Sequence, residues 1–422
     1  MANNHYDAIV VGGGAAGLTA AIFAARAGCR VLILEQKDVL CKKLYATGNG
    51  KCNFTNQFWS EEYFRSSTQA VAYQRVNRFS LADTLSFFRE IGIFPKERNG
   101  YYYPASEQAA SVAEALIREA GHLGVHTKTQ RKVTRITPAK PKGFQVECGE
   151  ETFFADFAVL ATGGMASPVH GSDGSGYILA KQLGHTVVTP LPAIVQLKAE
   201  GSCFKTLSGV RLEGSIRLIT KDQSFTQAGE LLFTAYGISG IPVMQVSRYA
   251  TEALYKKETV TAELDLFPML SYQELCEELS GRFQRRKEDT AEEAMCGLCN
   301  HKLNYVILKE CGIDPTKSCS TFSPKVAKTV ASKLKKFSLR ITDSNGFANA
   351  QACAGGILLT ELTEYGESKK LPGLFFVGEL CDVDGTCGGY NLQWAWSSGA
   401  LCGTEIGGRY ASNITAKAKP KS

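Results

Sequence analysis

The sequence predicts an α/β fold, a twisted and mainly parallel sheet whose strands come from distant parts of the chain. Three stretches predict it. Near the start, "YDAIVVGGGAAGLTAAIFAARAGCRVLILE" runs from apolar strand to glycine turn, small-residue helix and second apolar strand. In the middle, "DFAVLATGG" is a strand that ends in paired glycines. Near the end, "LPGLFFVGELCDVDG" holds another strand, closed by Gly378 and Glu379. Each strand is a short continuous apolar run, the pattern of a parallel strand covered on both faces.

The first stretch has strand Ala8 to Val11, helix Ala15 to Ala27 stopped by Gly28, and strand Val31 to Leu34. Gly12, Gly14 and Gly17 stand in G-x-G-x-x-G spacing between strand and helix. Gly12 permits the tight turn, Gly14 lets backbone approach a pyrophosphate, and Gly17 lets helix and strand pack closely. With Ala15 and Ala16 they present the positive end of the helix to phosphates. Glu35 follows 18 residues after Gly17, at the end of the second strand, where it accepts hydrogen bonds from an adenosine ribose. Gln36 is the next candidate contact. The stretch therefore predicts a dinucleotide site without choosing between FAD and NAD.

The following segments choose FAD. "KKLYATGNGKCNFTN", residues 42–56, is too rich in Gly and Asn for a core element. It suits a loop that wraps the long second half of FAD, with Lys43, Thr47, Gly48, Asn49, Gly50, Cys52 and Asn53 as candidate contacts, and Val133 is a further one. The strand Phe157 to Ala161 leads into Thr162, Gly163 and Gly164, a crossover at which Ala161, Thr162 and Gly163 face the cofactor. "GSDGSG" is a second turn, opening a helix from Tyr177 to Leu183. The strand Leu374 to Val377 ends at Gly378 and Glu379, whose carboxylate is expected to bind the ribityl chain. Asp384 to Gly389 is then the turn that meets the flavin, and Tyr390, Asn391 and Leu392 begin the helix that follows it. In that helix Ala395, Gly399 and Cys402 form a small-residue stripe for packing on the first βαβ unit.

The chain has 422 residues, 44% hydrophobic and 21% charged, enough for two or three domains with ordinary soluble cores. Net charge is +6, part of it in a basic tail from about residue 415. No long basic run interleaved with aromatics appears, so nucleic acid is not an expected partner. The start is not a secretory leader, and no uninterrupted apolar run of about 18 residues predicts a membrane span. The 14 scattered cysteines then read as reduced thiols in a cytoplasm.

"VVGGGAAGLTAA", "KKLYATGNGKCNFTN", "ATGGMASPVHGSDGSGY", "GELLFTAYGISGIPVMQVSR" and "GLFFVGELCDVDGTCGGYNLQWAWSSG" together resemble the bacterial NAD(P)/FAD-dependent oxidoreductases of the YhiN/BaiN type. The resemblance runs from about Tyr6 to Gly407. It implies FAD, a two-dinucleotide-like FAD-binding domain of Rossmann type, and an inserted domain with a β-barrel and a helical part. Members of that family are described as aminoacetone oxidases and as 3-dehydro-bile-acid delta-4,6-reductases, and many have no assigned substrate. The sequence departs from the family pattern at "AQACAGGILLTEL", with Cys353-Ala354 where a threonine is expected before the glycines. The expected domains are 1–188 and 341–422 for FAD, and 189–340 for the insert. Within the insert, "AIVQLKAE", "LSGVRLEGSIRLIT" and "GELLFTAYG" read as strands, "GISGIP" as a turn that can approach a ligand, and "SYQELCEELSGRFQRRK" as an amphipathic helix burying Leu275, Leu279 and Phe283.

The expected reaction is flavin-mediated reduction of an activated C=C, such as a 3-oxo-steroid or bile-acid enone. NADH or NADPH serves as transient donor, since no second G-x-G-x-x-G marks a nicotinamide domain. An amine oxidase of the aminoacetone type is the alternative, and a non-catalytic flavin carrier a third. Reduction needs a proton donor near the ring. Tyr390 is the first candidate and Tyr103, in the run Tyr101 to Tyr103, the second, although a phenol at Tyr390 can equally serve packing alone. Cys296 and Cys299 form C-x-x-C, which matches no closed metal-ligand set, and no metal site is expected.

Overall fold

The computed structural model describes residues 4–418. It divides into two compact units, Met1–Pro192 with Gln351–Ser422, and Ala193–Ala350. The second unit starts at 193 rather than 189, because the strand Val187–Ala193 pairs with Ala352–Ile357 and stays with the first unit. It ends at 350 rather than 340, because Phe337–Ser344 is a barrel strand.

The first unit is built on β1 (His5–Val11), α1 (Ala15–Arg26), β2 (Val31–Leu34), β3 (His126–Lys128), β4 (Glu151–Leu160), β5 (Leu374–Phe376) and α2 (Tyr390–Ala418). The sheet runs β3-β2-β1-β4, all parallel, and β5 pairs in parallel with the last residues of β4. The first half of β4 continues into an antiparallel meander with Phe144–Cys148 and Arg135–Pro138. Alternate residues of each strand enter different cores. Ala8, Val10, Val31, Ile33, Val159 and Phe375 pack with α1 and α2, while Ile9, Val11, Leu32, Leu34, Leu160 and Phe376 pack on the other face. Both faces are covered, which is why these strands are continuous apolar runs.

α2 lies against α1 through glycines at every fourth position. A Cβ at Gly399 would sit 2.5 Å from Ala16 O, one at Gly403 2.4 Å from Ala20 O, and one at Gly407 2.5 Å from Ala27 Cβ. The predicted stripe is real at Ala395 and Gly399, and its continuation is Gly403 and Gly407. Residues four apart stay on one line of a helix, whereas Cys402 falls beside that line and is simply buried. α2 runs to Ala418, so the expected tail from about 415 begins as helix; residues 419–422 lie outside the described residues. Among the described residues no helix is long and apolar enough to cross a membrane.

The second unit contains a closed barrel of six strands, Leu197–Ala199, Gly237–Ser239, Ser224–Thr234, Arg211–Ile219, Val260–Asp265 and Phe337–Ser344 in order around it. The "GISGIP" segment is not a ligand-facing turn. Gly237–Ser239 is a barrel strand squeezed against its neighbour, since a Cβ on Gly237 would lie 2.2 Å from Leu197 O. Gly240, at φ +105°, then opens the helix Ile241–Tyr255 with proline in its first turn. The helix Tyr272–Arg285 starts with a capping box between Ser271 and Glu274 and buries Leu275, Leu279 and Phe283.

Candidate functional site

At the first turn the three glycines are needed for different reasons. A Cβ on Gly17 would lie 2.0 Å from Gly12 O, and one on Gly12 2.5 Å from Ala161 O, so β1, α1 and the end of β4 meet only without side chains there. Gly14 is different, since a Cβ there would meet nothing within 4 Å. It is the N-cap of α1, with no side-chain cap, and the first bond of the helix is Leu18 N–H to Gly14 O. The N–H groups of Ala15, Ala16 and Gly17 take no bond within the helix, and the space beside Gly14 is open, as an anion requires. Glu35 is buried at the end of β2, where Oε2 accepts from Gly13 N at 2.7 Å and Oε1 from Lys37 N at 2.8 Å. Gln36 donates to Gly171 O, and Arg131 N bonds Glu35 O at 2.8 Å, which brings the stretch ending at buried Val133 beside the same strand end.

The wrapping segment Leu44–Gly50 is a kinked stretch of 3-10 turn, anchored by buried Leu44 and broken at Thr47, with Gly48, Asn49 and Gly50 all in the left-handed region. Thr47 turns its hydroxyl back on Leu44 O at 2.6 Å. Cys52 differs from expectation. Its side chain is fully buried in the core, and burial pushes the thiol up to about 12, so only its backbone is available to a ligand. Lys43 reaches across to Glu379, Nζ to Oε2 2.7 Å, and the other oxygen of Glu379 accepts from Cys353 N at 3.0 Å. Gly163 faces this pair, while Thr162 is turned toward Gly176. The departure at Cys353 is thus harmless to this contact, because the donor is a backbone N–H that any residue supplies.

The turn Asp384–Gly389 lies against the wrapping segment. Asp384 is buried in a two-residue strand opposite Arg65. A Cβ on Gly389 would lie 2.9 Å from Asn53 Oδ1 and 2.9 Å from Thr55 N. Asn56 Nδ2 donates to Gly388 O at 2.9 Å. Asn391 is not a free ligand contact, since Oδ1 accepts from Gly385 N at 2.8 Å and Nδ2 donates to Gly385 O at 2.9 Å. Its amide is a latch on the turn. Leu392 is half-buried against the α1 core.

Tyr390 does not suit the proton-donor role. Its ring is 3% exposed, stacked on Tyr63 at 4.7 Å and edge-on to Phe64, and its O–H donates to Phe58 O at 2.9 Å. Burial holds the phenol well above its ordinary range. Tyr103 is half-buried on the strand Tyr101–Pro104, and burial followed by the neighbouring Tyr101 keeps it protonated. Tyr101 stands at the turn itself, 3.3 Å from where a Gly388 Cβ would be. Alternation along the strand puts Tyr101 and Tyr103 on one face.

Residues outside the predicted contacts hold these pieces in place. Trp394 Nε1 donates to Gly378 O at 2.9 Å and Ser398 Oγ accepts from Gly378 N at 2.9 Å, so α2 grips both backbone groups of that turn. Trp396 Nε1 donates to Phe54 O at 2.9 Å. Gln393, fully buried, bonds Thr55, Thr84, Ser397 and the carbonyl of Phe79.

The residues present fit an FAD. The open helix end at Gly14 suits phosphates, and Asn53 Oδ1 is a buried acceptor with no hydrogen-bond partner among the described residues, beside Gly389. A flavin ring carries an N–H that such an acceptor needs.

The chain matches, over residues 6–405, the family described as HI0933-like protein Rossmann domain. It is similar to the 3-dehydro-bile acid delta(4,6)-reductase of Clostridium scindens, 39% identical over 398 residues, 93% of this chain and 97% of the relative. It is also similar to the ribosomal RNA dihydrouridine synthase of Escherichia coli, 26% identical, covering 95% and 98%. Among solved structures, the 3-ketosteroid delta1-dehydrogenase of Sterolibacterium denitrificans aligns at TM-score 0.51 and 13% identity, over 96% of this chain and all of the other, a likeness of fold.

Proposed function

The chain belongs to the HI0933-like Rossmann family, and from that membership we propose that it is an FAD-dependent reductase of an activated carbon–carbon double bond. The proposed substrate is a 3-oxo-steroid or bile-acid enone and the donor NADH or NADPH. The similarity to a bile-acid reductase at 39% identity over almost the whole chain carries this reading. Bound FAD supplies the hydride chemistry. The protein's part is to cradle the pyrophosphate at Gly12–Gly17, to bind ribose at Glu35, and to set the Lys43–Glu379 pair and the Asp384–Gly389 turn around the rest. The proposed proton donor is Tyr103, with Tyr101 beside it, because the Tyr390 O–H is already committed to Phe58.

The test is anaerobic. The purified protein should be yellow, release FAD on denaturation, and bleach with NADH or NADPH; re-oxidation by a 3-oxo-4,6-diene completes the reaction. Tyr103→Phe should lower kcat by about 10²-fold with FAD content unchanged. A preparation that neither contains nor takes up FAD would sink the reading. Reduction by aminoacetone with peroxide on re-aeration would replace it with an oxidase. Re-oxidation by ribosomal RNA, but not by the enone, would place the chain with its dihydrouridine synthase relative.

A further inference from the structure

The C-x-x-C pair of the second unit has no part in that chemistry. We propose that Cys296 and Cys299 are a thiol–disulfide exchange site, which closes into a reversible intramolecular disulfide on meeting a low-molecular-weight disulfide.

The backbone already holds the two residues side by side. They are partners in an isolated bridge, and bridged residues lie about 5 Å apart. A disulfide spans Cα separations of about 4.4–6.8 Å, so the bridge already brings the two backbones within the range that closure requires. Gly297, at φ +79° and in open space, makes the turn. Two side chains pin it from below. Arg282 Nη1 donates to Cys296 O at 2.9 Å and Ala294 O at 3.2 Å, and Asn304 Nδ2 to Met295 O at 2.9 Å and Cys299 O at 3.2 Å. Asn304 is 2% exposed, so this support is part of the core.

The two thiols are placed unequally. Cys296 is exposed and Cys299 half-buried. Burial pushes the Cys299 thiol up to about 11 against the nearby Arg282 cation. The inner sulfur is therefore the slower of the two to form a thiolate, which leaves the exposed Cys296 as the one that meets the small disulfide first.

The exchange balances in two steps. The Cys296 thiolate attacks one sulfur of oxidised glutathione, whose S–S bond breaks, and one glutathione leaves and takes up a proton. Cys299 gives its proton to solvent, attacks the Cys296 sulfur and expels the second glutathione. Two protein thiols are oxidised to one disulfide, and one small disulfide is reduced to two thiols.

The test uses the full-length holoprotein. It is exposed to oxidised glutathione, its remaining thiols are alkylated, and it is cut with trypsin, which leaves both cysteines on the peptide 288–302. The expected peptide lacks two hydrogens, carries no alkyl group, and regains both sites after dithiothreitol. Cys299→Ser should stop at a glutathione adduct on Cys296, and Cys296→Ser should react roughly tenfold more slowly. Cys296 is exposed, so its replacement leaves the fold intact. A wild-type peptide alkylated twice, a persistent mixed disulfide, or equal rates for the two variants would each overturn the proposal.

Discussion

Asn391 shows how much one side chain can settle. Its amide satisfies both backbone groups of buried Gly385, at 2.8 and 2.9 Å. Asn391→Leu leaves an N–H and a C=O buried without partners, a cost of about 1–3 kcal/mol. The urea midpoint should fall accordingly, and the visible spectrum of bound FAD should shift because the turn loosens; Asn391→Asp, which keeps the acceptor, should lie between. A second residue sets acid stability. Burial alone would raise the Glu361 carboxyl, but the Lys370 ammonium and the Thr186 N–H and O–H outweigh it and hold it at about 2, against an ordinary 4.5. Its partner His185, buried, is held below its ordinary 6.5. Both values are depressed, so both contributions are complete above the ordinary values and fade as pH falls. Stability should begin to drop below about pH 6.5 for His185, and from about 4.5 down to 2 for Glu361. Glu361→Gln should flatten the lower part of that curve in urea titrations, and an unchanged slope there would contradict it. At this scale the sequence was legible where spacing dictates a packing position, as at Gly12 and Gly17, which leave no room for a side chain. It was not legible where the partner is remote. That the Tyr390 hydroxyl is taken by Phe58 and the Asn391 amide by Gly385 depends on which segments the fold brings together.

Among elements, the pairing of α1 with α2 has the most direct consequence for the site. Its two ends do different things. A side chain at Gly399 would strike Ala16 O, in the first turn of α1 that faces the proposed phosphates, whereas one at Gly407 would strike Ala27 at the far end. Gly399→Val and Gly407→Val should each destabilise by about 1–3 kcal/mol or more through overpacking. Only Gly399→Val should also cut FAD retention, read as flavin absorbance per protein after gel filtration. Equal retention in the two variants would show that the helix pair does not set the cradle. The sequence revealed that a small-residue helix would press on the βαβ unit. It concealed the line of contact, because Ala395, Gly399 and Cys402 satisfy helical spacing as well as Gly399, Gly403 and Gly407 do. The barrel strands were readable as strands from their alternation, but Gly237–Ser239 read as a turn, since a glycine squeezed between strands looks the same in sequence as one that bends.

At the scale of the whole molecule, the second unit leaves and re-enters the first through paired strands, Val187–Ala193 and Ala352–Ile357. Replacing residues 193–350 by a short Gly/Ser linker should therefore give a protein that folds and stays yellow. Loss of flavin in that variant would show that the first unit depends on the second. The same layout has a meaning in time. β1, α1 and β2 emerge from the ribosome before the inserted unit, yet β5 and α2, which complete their sheet and cover their helix, are made after it. Until then the first unit waits as an open sheet with an uncovered apolar helix, while the barrel and its helices, contiguous in sequence, can close at once. Synthesis thus finishes the inserted unit before the nucleotide cradle is assembled, so a nascent chain is able to bind flavin only after β5 and α2 have emerged.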